Sequence, residues 1–134
     1  MIVYDLDGNK TSWHLTGNIT KTRNNNKSEL HLLARKILHE VYPTLQILEE
    51  VPINPKKGNT LYLDFYLPLI KKCIEIHGEQ HYKFVPFYHQ NMMGFVKSKK
   101  RDEDKKTWCE INNIQYISLS FDSTESWKET ISNE

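Results

Sequence analysis

Cysteine is scarce in this 134-residue chain, which has only Cys73 and Cys109. Two thiols fit a reduced cytosolic protein better than a disulfide scaffold. Cys73 falls in an apolar segment and reads as packing. No apolar run approaches the roughly 18 residues of a membrane span, and no signal-peptide pattern opens the sequence. The expectation is a cytoplasmic protein with no membrane partner. Net charge is also nearly absent, because 18 basic and 17 acidic side chains leave +1. Total charge therefore identifies no partner, and its distribution has to be read instead.

Residues 54–106 carry eleven Lys and Arg against six Asp and Glu, while residues 107–134 carry one Lys against five acids. A basic half suits a polyanionic partner, and a solvated lysine-rich face is the ordinary alternative. What is present suffices for one domain, since 38% of residues are hydrophobic and a chain of this length builds a single core.

Ile2–Tyr4 and Ser12–Leu15 flank the turn dipeptide Asp7-Gly8 and predict an N-terminal hairpin. Residues 16–27 are polar and aperiodic, a loop that offers Lys21, Arg23 and Lys27 to phosphates. Ser28 caps a helix to about Val41, with Leu30, Leu33, Ile37 and Val41 as its buried stripe. Leu45–Ile53 reads as a first core strand, 54–59 as a turn, Leu61–Leu67 as a second strand ended by Pro68, and Lys71–His77 as a third. Residues 83–98 hold Pro86 and Gly94 among aromatics and read as a long functional loop. A helix from about Lys99 to Asn112 follows, then a strand Gln115–Leu119. Ser123 or Thr124 caps a C-terminal helix carrying Trp127 and Ile131. The fold class is α/β, a small mixed β-sheet flanked by helices with an N-terminal hairpin. Neither repeat nor linker divides it. The expected organisation is one domain over 1–134, with hairpin and basic loop at 1–27, a core at 28–119 (catalytic on the resemblance given below) and the terminal helix at 120–134.

Two strands are each interrupted by one acid, Asp64 and Glu75, eleven residues apart. A carboxylate inside an apolar strand is costly unless a cation or a full set of hydrogen bonds accepts it. Antiparallel pairing through the turn at 68–71 brings Asp64 and Glu75 together, with Cys73 and His77 on the Glu75 face. Mg²⁺, held by one or two carboxylates and water, is the economical partner for such a pair. The alternative is surface pairing with Lys71, Lys72 or Lys83. His81, just past the strand end, is placed to accept a proton. His77 either hydrogen-bonds a phosphate or is a satisfied core histidine. In the run 99–106, Asp102, Lys105 and Lys106 share a helical face. Asp102 is placed to orient an imidazole or a water while the lysines hold phosphates, although such runs are usually solvated faces.

These residues carry a resemblance. Asp64-Phe-Tyr-Leu-Pro68, Ile74-Glu75-Ile-His77-Gly-Glu-Gln-His81-Tyr82 and Arg101-Asp102-x-x-Lys105 resemble the PD-(D/E)xK nuclease superfamily. The similarity is to its very-short-patch-repair-like branch, and most of all to the phage homing-endonuclease group with a Glu, Asp, His, Asp signature. The resemblance covers about residues 28–119. It implies a restriction-endonuclease-like core and a Mg²⁺-dependent DNA endonuclease (Mn²⁺ substituting) encoded by a phage or other mobile element. Asp64 matches the metal-binding aspartate, Glu75 the glutamate of the (D/E)xK element, His81 the catalytic histidine and Asp102 the final aspartate. Glu29 is the better candidate for the leading glutamate and Glu40 the weaker. Lys99, Lys100, Arg101, Lys105 and Arg23 are the expected DNA contacts. Tyr82, Phe84, Phe87, Tyr88 and Phe95 are expected to stack on bases or to fill the core.

His77 stands where the family places its lysine, so base chemistry falls to His81 or to a lysine from another element. Two cysteines cannot rebuild the zinc site of the repair enzymes. No separate DNA-recognition domain is visible, which leaves loose sequence preference, a homodimer or a partner recognition subunit. The alternative function is a non-catalytic nucleic-acid-binding or interaction protein on a degenerate nuclease fold, and the missing lysine favours it.

Overall fold

The computed structural model describes residues 1–19, 28–78 and 91–133. Strands β1 (Ile2–Tyr4) and β2 (Lys10–Ser12) form the expected antiparallel hairpin around Asp7-Gly8. The second strand starts earlier than the apolar residues suggested. The Asp5 carboxylate draws the turn tight by accepting the backbone N–H groups of Asp7 and Asn9. A short strand β3 (Asn18–Ile19) follows inside the segment expected to be loop. It pairs antiparallel with Glu49 and Leu48. Gly17 admits this approach: its φ is +122°, and a Cβ there would sit 2.9 Å from the Glu49 carbonyl oxygen.

Helix α1 spans Glu29–Val41, with the Ser28 hydroxyl accepting the His31 N–H at 3.1 Å. Its buried face differs from the expected stripe. His31, Ala34, Arg35, Ile37 and Leu38 are buried, whereas Leu30, Leu33 and Val41 are only partly so. Apolar periodicity misplaced the face because two of its inward residues are a histidine and an arginine.

The main sheet has five strands in the order β3-β4-β5-β6-β7. Strands β4 (Leu48–Lys56), β5 (Asn59–Leu67) and β6 (Lys72–His77) form an antiparallel meander. Both ends of β4 lie three residues later than expected, so the turn narrows to Lys57-Gly58, where Gly58 takes a φ of +79°. Pro68 ends β5 as predicted and opens a single 3₁₀ turn, after which Lys71 at φ 49° reverses the chain.

Helix α2 spans Met92–Ile111, and β7 (Gln115–Ser120) then returns parallel to β6. Residues 92–98 are therefore helix, not loop. Asn91 caps them by accepting the Gly94 N–H at 2.9 Å, which absorbs the glycine that had suggested irregular chain. Ser123 and Thr124 lead into a 3₁₀ turn at Thr124–Ser126 without a side-chain cap, and α3 (Trp127–Asn133) buries Trp127 and Ile131.

Two cores follow. One joins Phe65, Leu67, Ile74, Ile117 and Leu119 to α1 and α3. The other joins Tyr66 and Cys73 to Trp13 of the hairpin and to Trp108 and Cys109 of α2. Trp13 meets Trp108 edge-on at 5.0 Å and ties the hairpin to α2. Consecutive strand residues point to opposite faces, so Asp64 and Glu75 point away from the α1 face that takes Phe65 and Ile74. No helix among the described residues is long and apolar enough to cross a membrane.

Candidate active site

The β5–β6 ladder runs from Leu67–Lys72 through Tyr66–Cys73 to Phe65–Ile74 and stops there. At the next step two carboxylates replace it. The Asp64 N–H donates to Glu75 Oε2 at 2.5 Å, and the Ile76 N–H donates to Asp64 Oδ2 at 2.9 Å. Each acid takes a backbone donor from the opposite strand, so the pair is locked in register by the main chain. The turn through Pro68 brings together the two acids that sequence spacing had singled out.

Helix α2 closes the site from above. Lys105 Nζ donates to Glu75 Oε1 at 2.8 Å, with the side chains of Lys105 and Glu75 16% and 2% exposed. Glu75 is in a hard position. Burial, and then the Asp64 charge, push its pKa from 4.5 up to about 8, although Lys105 and the Asp64 N–H pull it down. Burial works to lower the Lys105 pKa, but Glu75, Asp64 and Asp102 together more than offset it, so the lysine is held as a cation.

A cavity of about 610 Å³ opens beside this cluster, lined among others by Glu50, Thr60, Tyr62, Asp64, Arg101 and Lys105. Glu50 lies between the pairs Glu49–Phe65 and Val51–Leu63, at the level of Asp64, with a φ of 53°. A non-glycine residue in the left-handed region costs roughly 1–2 kcal/mol, and such strain gathers at functional sites. Sequence reasoning missed Glu50; the only signal was the acidic doublet 49–50 inside a strand. It also read Lys105 only as a DNA contact, because nothing in the sequence shows that α2 lays this lysine on Glu75.

Asp102, Lys105 and Lys106 do not share one cavity. Arg101 and Lys105 face the Asp64 side, while Asp102 and Lys106 line a second cavity of about 320 Å³ with His77, Lys99 and Tyr116. The 100° step per residue separates 102 and 106 from 101 and 105. His77 Nε2 lies 3.3 Å from the Tyr116 hydroxyl. Burial, followed by the Glu75 charge, raises the Tyr116 pKa and keeps the phenol protonated. Lys99 also lies over the Phe95 ring at 5.8 Å. Lys100 is exposed and pairs with Asp104 at 3.1 Å.

Glu29 is exposed in the first turn of α1, on the helix that covers the opposite face from Asp64 and Glu75. Glu40 pairs with Lys128 at 3.4 Å. Neither joins the acid pair. Of the lysines in the surface-pairing alternative, Lys72 does not reach the acids. Lys72 is buried and donates to the Tyr42 hydroxyl at 2.7 Å, whereas Glu75 is held by Lys105. Lys83, His81, Arg23 and the aromatics Tyr82, Phe84, Phe87 and Tyr88 lie outside the described residues.

A second buried carboxylate sits on the other face. Glu49 accepts from Arg35 through both oxygens at 2.8 Å and lies 2.5 Å from His31 Nε2, while the His31 ring stacks on Phe65 at 4.5 Å.

Two hard carboxylate oxygens from Asp64 and Glu75 suit Mg²⁺, which keeps most of its water. Among the described residues, no three His, Cys, Asp or Glu side chains form a ready metal cage. A two-carboxylate Mg²⁺ site does not need one.

The protein is thus a mixed α/β chain with paired acids at the centre of its sheet and a lysine from α2 against them. Its similarities are to viral proteins. Uncharacterized protein 307L of Invertebrate iridescent virus 6 is 40% identical over 67 residues, which are 49% of this chain and 34% of that protein. Uncharacterized protein 033L of Invertebrate iridescent virus 3 is 35% identical over 68 residues, 51% of this chain and 35% of its own. Uncharacterized protein 094L of Frog virus 3 (isolate Goorha) is 33% identical over 70 residues, 52% and 45% respectively. The matched segments thus span between a third and a half of these relatives' length. No protein-family model and no solved structure matches the chain.

Proposed function

We propose that this protein is a Mg²⁺-dependent DNA endonuclease with a restriction-endonuclease-like core. The observation that carries the reading is Glu75. It is a buried carboxylate held beside a second carboxylate, with one lysine against the pair. Such an arrangement is poor for stability and good for binding a cation at a polyanion. The mixed sheet with helices on both faces is compatible with that core. Asp64 and Glu75 are the residues that would hold the metal, with Glu50 at the same cavity. The chemistry such an ion would supply there is activation of a water and stabilisation of charge developing on a phosphodiester.

Lys105 answers the feature that favoured a degenerate, non-catalytic protein. It brings to Glu75 from α2 the amine that the sequence motif lacks at His77. As a cation it orients Glu75 and offsets charge on a phosphate; it does not accept a proton. That task stays with an imidazole, either His81 or His77 beside Tyr116. Arg101 at the Asp64 cavity, and Lys99 and Lys106 at the second one, are the cations available to a phosphate backbone.

A plasmid-nicking assay in Mg²⁺ or Mn²⁺ tests the reading. Wild type should cleave, and Asp64→Asn and Glu75→Gln should not; of His81→Ala and His77→Ala, the inactive one identifies the base. Lys105→Ala should cleave weakly. Cleavage that survives both Asp64→Asn and Glu75→Gln would discard the site.

A further inference from the structure

We infer that the cavity beside Asp64 is a subsite for a single unpaired nucleotide, with Tyr62 as the platform on which its base stacks. For the class of its ligand this rests on the nuclease reading above. Tyr62 lies two residues before Asp64 in β5 and so points to the same face. Tyr62 is 55% exposed, yet it lines the 610 Å³ cavity that Asp64 borders. A lone exposed tyrosine is ordinary on a protein surface. What sets this one apart is the company it keeps.

Arg101 lines the same cavity one helical turn before Lys105, and its guanidinium takes the Ser98 hydroxyl at 3.0 Å. Thr60 adds a hydroxyl. The cavity therefore offers an aromatic face, a planar cation, a hydroxyl and two carboxylates. Its volume lies within the range of pockets that take small organic molecules. Those are the elements that hold a base, a phosphate and a metal-bound scissile group.

A base inside a duplex has both faces covered by its neighbours and cannot offer one to Tyr62. The subsite therefore selects a strand that is single, frayed or splayed at the cleavage point. Stacking tolerates any base, so little sequence preference is expected from this position.

The test uses the full chain with Ca²⁺ in place of Mg²⁺. The probes are a short single-stranded DNA oligonucleotide carrying 2-aminopurine and the same oligonucleotide paired in a duplex. Wild type and Tyr62→Phe should quench the single-stranded probe and bind it about tenfold or more tightly than the duplex. Tyr62→Ala and Tyr62→Leu should abolish quenching and weaken single-strand binding on the order of 10- to 100-fold. All four proteins should share one thermal midpoint because the side chain is exposed. Unchanged quenching and affinity in Tyr62→Ala, or equal affinity for the duplex, would overturn the subsite. Nicking in Mg²⁺, run alongside, separates the two ideas. Tyr62-dependent quenching without cleavage by any preparation removes the nuclease reading and supports the subsite. Asp64-dependent cleavage with binding indifferent to Tyr62 removes the subsite alone.

Discussion

Glu49 and Glu75 lie on two strands of one sheet, 2% and 1% exposed, and they have opposite surroundings. Glu49 faces α1 and receives a two-oxygen clamp from Arg35 with His31 beside it. Its charge is met where it stands. Glu75 faces α2, with a carboxylate on one side and one lysine on the other. Burial first, and then the Asp64 carboxylate, raise the pKa of Glu75 to about 8, and one lysine offsets them only in part. Burial alone does not mark a functional site. What differs is the charge balance around the buried group, and the proposed metal site rests on that difference.

The largest expected effect breaks the comparison at Asp64. Asp64→Asn keeps an oxygen for the Ile76 N–H while removing the charge that opposes Glu75. Cleavage should fall about a thousandfold or more, the several kcal/mol that a metal contributes. The metal-free thermal midpoint should rise by a few degrees, as relief of repulsion is worth about 1 kcal/mol. A lower midpoint with intact cleavage would make Asp64 a structural residue like Glu49.

The mirror experiment is Arg35→Ala. Removing one partner of a buried pair strands the other, so stability should drop by about 3–5 kcal/mol in urea denaturation. Arg35→Met combined with Glu49→Leu should recover most of that. If the double variant stays as unstable as the single one, the charge of Glu49 is needed for something besides the fold.

How legible this contrast was in the sequence depended on the type of signal. Asp64 and Glu75 could be read because each interrupts an apolar strand, and a proline-bearing turn of fixed length sets their register. Ser28 and Pro68 followed from local rules in the same way. Glu49, Arg35 and His31 could not be read, since polar residues on a buried helical face look like solvent-facing ones until their partner is known. The start of α2 was hidden by Gly94, whose N–H is capped by Asn91. Lys105 was visible as a charge but not as the partner of Glu75, a contact between residues 30 apart in the chain. Long-range pairing is the part that sequence periodicity does not carry.

A third prediction sharpens the contrast with pH. The folded-state pKa of Glu75, about 8, lies above its ordinary 4.5. The folded protein therefore holds that proton more tightly than the unfolded chain does. In chelator, the Glu75-linked stability is complete below about pH 4.5 and is lost as pH rises through about 8, a drop on the order of a few kcal/mol. Asp64→Asn should flatten the decline. Millimolar Mg²⁺ should restore the midpoint at pH 8 and have little effect at pH 5, since ligand binding to the folded form adds stability. A profile that is flat between pH 5 and 9 in chelator would show that Lys105 alone balances the pair.

The smallest effect concerns Tyr66, on the Glu75 side of the sheet. It is fully buried, 5.3 Å from Trp13, and its hydroxyl has no hydrogen-bond partner among the described residues. Burial, followed by the nearby thiols Cys109 and Cys73, pushes its pKa up to about 12. Tyr66→Phe removes an oxygen that has left water without replacement, so stability should hold or rise by up to about 1 kcal/mol. A gain would extend the contrast from one glutamate to a whole face, with polar groups satisfied beneath α1 and incompletely satisfied beneath α2. A loss above about 1 kcal/mol would mean that water bridges the hydroxyl. The imbalance would then belong to Asp64 and Glu75 alone.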